Sequence, residues 1–179
     1  PWEKIEDFLK ERAGYLEGIV ISGGEPTLHD SLPALLRWIK DFGYKTAIHT
    51  NGFYPDRIKN ILKQGLIDYI AMDVKGTPRI YDVITQCPNT CHPVSKSIDI
   101  IISSGIKYEF RTTWHPTLIS ESDLIRTMEA LSNAGGKSYY IQNFRSEGVD
   151  DEELIGIEPV LPEEVINLGK NLFPVFGTR

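Results

Sequence analysis

Several short stretches of this 179-residue chain carry side chains able to do chemistry, and the first is Ser22-Gly23-Gly24-Glu25-Pro26. Gly23 and Gly24 let the backbone approach a ligand without a Cβ in the way, Glu25 adds an acceptor, and Pro26 fixes the exit. That set suits a bound ammonium or amino group, although the same residues also spell a plain strand-to-helix turn. In Ala71-Met72-Asp73-Val74-Lys75 the two-residue period of a strand puts Asp73 and Lys75 on one face, with Ala71, and Met72 and Val74 on the other. The acid and the base either form an internal salt bridge or meet a ligand. Tyr108-Glu109-Phe110-Arg111-Thr112-Thr113 alternates in the same way. It presents Glu109, Arg111 and Thr113 together, and Arg111 either pairs bidentately with Glu109 or contacts a ligand.

Other candidates carry weaker signals. Thr50-Asn51-Gly52 ends an apolar run and reads as a ligand-facing loop or as a tight turn. His115, in Trp114-His115-Pro116, is expected to be a solvated loop residue near the mouth of any site. The only cysteines, Cys87 and Cys91, stand in a C-x3-C spacing beside His92. With no third cysteine they are expected to be free thiols in a surface loop rather than a cluster, a zinc site or a disulfide. Lys75 would serve a Schiff-base lyase, with Asp73 or Glu25 shuttling protons, only if its pKa were depressed, and Asp73 two residues away works against that.

The elements that must position these residues follow from periodicity and punctuation. Ile19-Val20-Ile21 predicts a short buried strand ending at Gly-Gly-Glu-Pro. Further strands are predicted over Lys45 to Thr50, Tyr69 to Val74, Lys107 to Thr113 and Ser138 to Asn143. Helices are predicted from Trp2 to near Gly14, with Ile5, Phe8, Leu9 and Ala13 on the inner face, and from Leu32 onward, capped by Asp30 or Ser31 and closed by Gly43. Others cover Pro55 to Lys63, Ser95 to Ser104, Glu121 to Ala134 and Pro162 to Leu172. Strand then helix, repeated with short links, is the pattern of an α/β fold with a parallel sheet. Each candidate motif follows a strand, so the motifs gather at the carboxyl edge, where such folds bind ligands.

In order and interval, Ser22-Gly23-Gly24-Glu25-Pro26, Thr50-Asn51-Gly52 and Met72-Asp73-Val74-Lys75 resemble the radical S-adenosylmethionine (SAM) activating enzymes. Phe110-Arg111-Thr112-Thr113 and Gln142-Asn143-Phe144-Arg145 lean towards the activating protein of anaerobic ribonucleoside-triphosphate reductase, a relative of pyruvate formate-lyase activating enzyme. The likeness covers nearly the whole chain. It implies a single domain over residues 1–179, a partial (β/α)6 barrel, and SAM contacts from Gly23, Gly24, Glu25, Thr50, Asn51, Asp73, Lys75, Arg111 and Arg145. Lys75 would meet the SAM carboxylate and Asp73 its amino group or a cation. Arg145 stands where pyruvate formate-lyase activating enzymes carry a SAM-contacting His. His49 stands where some relatives carry a cation-binding Asp, and a neutral imidazole is a poor ligand for sodium or potassium.

The resemblance further implies a [4Fe-4S] cluster on a C-x3-C-x2-C loop after the first strand, and no cysteine precedes Ile19. The chain, which opens at Pro1, therefore reads as a fragment lacking the first strand and the cluster loop, with the edge left behind exposed. The complete protein would reduce SAM at the cluster and generate a glycyl radical on its partner, drawing electrons from a donor such as flavodoxin or ferredoxin. A noncatalytic SAM- or nucleotide-binding module is the remaining alternative. Composition is that of a globular domain, 41% hydrophobic and 25% charged. The net charge of -6 disfavours nonspecific nucleic-acid binding. No apolar run approaches the ~20 residues that cross a bilayer and no charged-then-apolar leader is seen, so a cytoplasmic location is expected.

Overall fold

A computed structural model describes residues 2–146 and 150–179. Its strands are β1 (Gly18–Ile21), β2 (Lys45–Thr50), β3 (Tyr69–Asp73), β4 (Lys107–Trp114), β5 (Ser138–Asn143) and β6 (Val175–Thr178). They form one six-stranded sheet in chain order, parallel at every pairing. Helix α1 (Trp2–Glu11) precedes β1; parallel neighbours need crossovers, and the remaining helices supply them: α2 (Leu32–Asp41), α3 (Pro55–Lys63), α4 (Pro78–Thr85), α5 (Cys91–Ser103), α6 (Glu121–Asn133), α7 (Glu152–Ile155) and α8 (Glu163–Leu172). A 3-10 turn, Pro26–Leu28, separates β1 from α2.

The two faces of the sheet differ sharply. Ile48, Ile70, Met72, Phe110 and Ile141 are fully buried and pack with Leu36 of α2, Ile58 and Ile61 of α3, Ile101 of α5, Leu124 and Met128 of α6 and Val165 of α8. The alternate positions carry His49, Asp73, Glu109, Arg111 and Tyr140, in register across the strands: Asp73 pairs with Arg111, and Arg111 with Tyr140. The period of two thus separates an aliphatic core from a polar face. Gly169 lets α8 lie against the Phe176 ring of β6, because a methyl there would collide with that ring.

Some expectations need correction. The Ile19-Val20-Ile21 strand forms as β1, but it is an edge strand with Val20 52% exposed, because among the described residues only β2 pairs with it. Helix α1 stops at Glu11 and buries only Leu9, which packs on Ile39 and Tyr44, while Ile5 and Phe8 stay exposed. Ser31, not Asp30, is the N-cap residue of α2, but it is itself helical in φ and ψ and its hydroxyl makes no cap bond, while Asp30 pairs with Arg57 at 2.7 Å. Helix α4 and strand β6 were not anticipated, and α5 begins four residues before Ser95.

Candidate functional site

The turn after β1 is built by its own side chains. Gly23 has φ +121, a left-handed conformation that glycine tolerates, and an added Cβ at Gly23 or Gly24 would meet open space. Glu25 is extended, Pro26 starts the 3-10 turn, and the Glu25 carboxylate caps it by accepting from the Thr27 amide at 3.0 Å and from the Thr27 hydroxyl. The same carboxylate reaches the end of β2. Its Oε1 accepts from the Thr50 hydroxyl at 2.8 Å and its Oε2 from the Asn51 amide at 2.7 Å. Glu25 is therefore a clamp that holds two strand-end loops in one geometry.

The second loop is fixed as firmly. Gly52 sits at φ +75, where a methyl would collide with the Met72 thioether, and its carbonyl accepts from the buried Ser97 hydroxyl at 2.6 Å. Its amide donates to Thr50 Oγ1 at 3.1 Å, and Asn51 Oδ1 accepts from the Phe53 amide at 2.9 Å. Asn51-Gly52 is thus a tight turn whose amide also serves the clamp.

On the polar face, Arg111 donates to Asp73 Oδ1 from Nε and Nη2, both at 2.9 Å. Among the described residues nothing donates to Asp73 Oδ2. The bidentate partner of Glu109 is not Arg111, whose Nη1 is 3.9 Å away, but Arg179, which reaches Glu109 Oε1 at 2.9 Å and Oε2 at 2.6 Å. Thr113 is exposed. His49 has its pKa lowered from 6.5 by burial and by the Arg111 guanidinium. The Arg111 guanidinium thus disfavours a second positive charge on this imidazole. Burial and the Glu109 carboxylate push the Tyr69 hydroxyl well above its usual value.

The structure brings Glu25, Thr50 and Asn51 into direct contact, and Asp73 with Arg111. Lys75 and Arg145 are exposed, just beyond the ends of β3 and β5, and their side chains make no polar contact among the described residues. The internal pair of Asp73 with Lys75 does not form, because the strand ends at Asp73 and Arg111 of β4 takes that carboxylate. An exposed Lys75 also lacks the apolar burial that a Schiff-base lysine needs. All nine expected residues follow or end strands at one sheet edge, Arg111 excepted, which lies within β4. They do not share a single cavity: Gly24 and Glu25 line one of about 140 Å³, Asn51 and Lys75 another of about 460 Å³.

His115 is not solvated. It is fully buried, its Nδ1 accepts from the Thr117 amide at 3.3 Å, and its ring packs edge-on against Phe144. Cys87 is an exposed free thiol, as expected. Cys91 is free as well but opens α5 and is half-buried, so the surface loop is shorter than the spacing suggested. Sequence reasoning missed Arg179, which follows a four-residue strand too short to signal itself. It also missed α4, for which Thr77-Pro78, an N-cap residue followed by proline, was the available signal.

The chemistry of these side chains, though spread over two cavities, is compatible with a ligand that carries an ammonium and a carboxylate. An Asp73 oxygen without a donor among the described residues and the unobstructed Gly23-Gly24 backbone could receive an ammonium, and Lys75 and Arg145 bring positive charge for a carboxylate. The residues do not fit an iron-sulfur cluster. Among the described residues no group of three or more His, Cys, Asp or Glu side chains stands together to hold a metal, and Cys87 and Cys91 lie on the α4–α5 hairpin.

Comparison with known proteins bears on the family and the fold. The profile of the Radical SAM superfamily matches residues 1–155. A protein of Methanocaldococcus jannaschii named as a glycyl-radical enzyme activating enzyme is 32% identical over 169 residues, covering 92% of this chain and 68% of that protein. A second such protein of the same organism is 27% identical, covering 95% and 69%. A domain of pyruvate-formate lyase-activating enzyme from Bacteroides vulgatus superposes with a TM-score of 0.70 at 15% identity, over 90% of this chain and 98% of that one. The sheet and its crossovers are those of the partial barrel expected, and the chain belongs to the radical SAM superfamily.

Proposed function

We propose that this chain is the SAM-binding part of a glycyl-radical enzyme activase, and that its target is anaerobic ribonucleoside-triphosphate reductase. The observation that carries this reading is the Glu25 clamp together with an Asp73 oxygen to which nothing among the described residues donates, both at the carboxyl ends of parallel strands. Gly23, Gly24 and Asp73 receive the SAM amino group. Lys75 and Arg145 face its carboxylate or ribose, and Thr50 and Asn51 hold the loop that borders it. Arg111 orients Asp73. When bound, SAM supplies the radical chemistry at a [4Fe-4S] cluster whose ligands lie outside the described residues, and this chain supplies position.

Both named relatives from Methanocaldococcus jannaschii are called activating enzymes, which supports the activase class. The reductase is favoured by Phe110-Arg111-Thr112-Thr113 and Gln142-Asn143-Phe144-Arg145. Flavodoxin or ferredoxin is the proposed electron donor, and the cytoplasm the proposed compartment. No helix among the described residues is long and apolar enough to cross a membrane. The test is to incubate the reduced full-length protein anaerobically with SAM and either the reductase or pyruvate formate-lyase. Release of 5'-deoxyadenosine with a glycyl-radical doublet on the reductase alone is the expected result. A doublet only on the lyase overturns the target, and deoxyadenosine release with neither doublet overturns the activase reading.

A further inference from the structure

The polar face holds a chain of alternating charge that the SAM contacts do not by themselves explain. From β6 across to β3 it runs Arg179, Glu109, Arg111, Asp73. The two middle members are almost enclosed, with the Glu109 side chain 4% and the Arg111 side chain 8% exposed. A carboxylate so desolvated must be paired, because an isolated buried charge is costly.

Arg179 provides that pairing through a built arrangement. Its amide donates to the Ile141 carbonyl at 3.0 Å and its carbonyl accepts from the Asn143 amide at 2.7 Å, so its backbone extends the β5–β6 ladder by one step. Its guanidinium lies 3.9 Å from the centre of the Tyr140 ring, and Tyr140 in turn lies across Gly177, where a Cβ would come within 2.7 Å of the ring. The bare Gly177, the ring and the guanidinium form a stack that aims the fork of Arg179 at both oxygens of Glu109.

We propose that Arg179 is a positioning residue for the SAM site: by occupying Glu109 it keeps Arg111 on Asp73 Oδ1 and leaves Asp73 Oδ2 for the ligand's ammonium. Without Arg179, the nearest cation to Glu109 is Arg111, whose Nη1 is already 3.9 Å from Oε1. The neutral Tyr69 hydroxyl beside Glu109 cannot balance its charge. Arg111 would turn to Glu109, and Asp73 would lose the partner that orients it. The inference rests on the proposed SAM site, and it goes beyond it by giving a side chain outside that site control over the site's geometry.

The test measures equilibrium binding of SAM to the anaerobically prepared holoenzyme by calorimetry. Wild type that binds no SAM refutes the underlying site reading, whatever Arg179 does. Given wild-type binding, Arg179→Met is expected to weaken SAM about tenfold, a coupling typical of residues in one charge network. Glu109→Gln combined with Arg179→Met removes the competing charge, so Arg111 returns to Asp73 and affinity recovers to within about threefold of wild type. A merely structural role for Arg179 would not be rescued by deleting its partner. Unchanged affinity in Arg179→Met, or a double variant as weak as the single, overturns the proposal. Should Arg179→Met fail to fold, the double variant is compared with Glu109→Gln alone: near-wild-type affinity in both supports the proposal, and weak binding in either overturns it.

Discussion

At Glu25 one carboxylate does the work of several separate contacts. It caps the turn after β1, accepts from the Thr50 hydroxyl and accepts from the Asn51 amide, so its charge is spread over donors from two loops. Hydrogen bonds to a charged group are worth more than neutral ones, and an amide nitrogen in place of Oε2 would face the Asn51 N–H donor to donor. Glu25→Gln is therefore expected to cost about 2 kcal/mol of stability, read by chemical denaturation. The same variant is expected to weaken SAM binding roughly tenfold, which corresponds to about 1.4 kcal/mol. A variant as stable as wild type would show that the two loops hold their geometry without the clamp.

Among the elements, the junction of α2, β2 and β3 depends on Asp68, which accepts from Lys40 Nζ at 2.8 Å and from the Thr46 amide at 2.7 Å. Burial works against its charge, but the Lys40 ammonium and the Thr46 donors outweigh it and hold its pKa below the ordinary 3.8. A carboxylate depressed in the folded state stabilises the fold above its unfolded pKa, and that contribution disappears as pH falls through the lower folded value. Asp68→Asn is expected to unfold at lower denaturant than wild type at pH 7, with the difference shrinking once the pH drops below 3.8. A difference independent of pH would locate the effect in shape rather than charge.

The same elements show how far the sequence could be read. Strands β2 and β5 and helix α3 run between the residues expected, because Gly43, Gly65 and Gly135 mark limits with positive φ that few other residues adopt and Pro55 opens the helix. The motif loops were legible for that reason, and so was their gathering at one edge. Partnership across strands was not. Whether Arg111 takes Glu109 two residues away or Asp73 on the neighbouring strand depends on register and on the distant Arg179, and neither has a local signal. His115 was misjudged on similar grounds, because the chain that buries it comes from the far side of α6, with the Ile157 carbonyl 3.3 Å from its Nε2.

For the whole molecule, the aliphatic core and the proposed ligand-facing polar side lie on opposite sides of one sheet. Phe110, fully buried, packs in the common core with residues from several helices, whereas its neighbours Glu109 and Arg111 serve the polar face. Phe110→Ala is expected to cost about 3–5 kcal/mol through lost burial and a residual cavity, measured by denaturant unfolding. Arg111→Met is expected to spare stability comparatively and to abolish the ordering of Asp73 instead. A Phe110→Ala protein that loses under 1 kcal/mol by the cavity rule would mean that the helices collapse onto the sheet and the core is not close-packed.

The alternation along β4 has one more consequence, for how such a chain can change over time. A single deletion between Lys107 and Trp114 would swing Glu109 and Arg111 under the helices and turn Phe110 and Thr112 outward, since a one-residue slip exchanges the two sides of a strand. Insertions and deletions are therefore expected to be tolerated in the connecting segments and not within β4, where odd and even positions carry different duties.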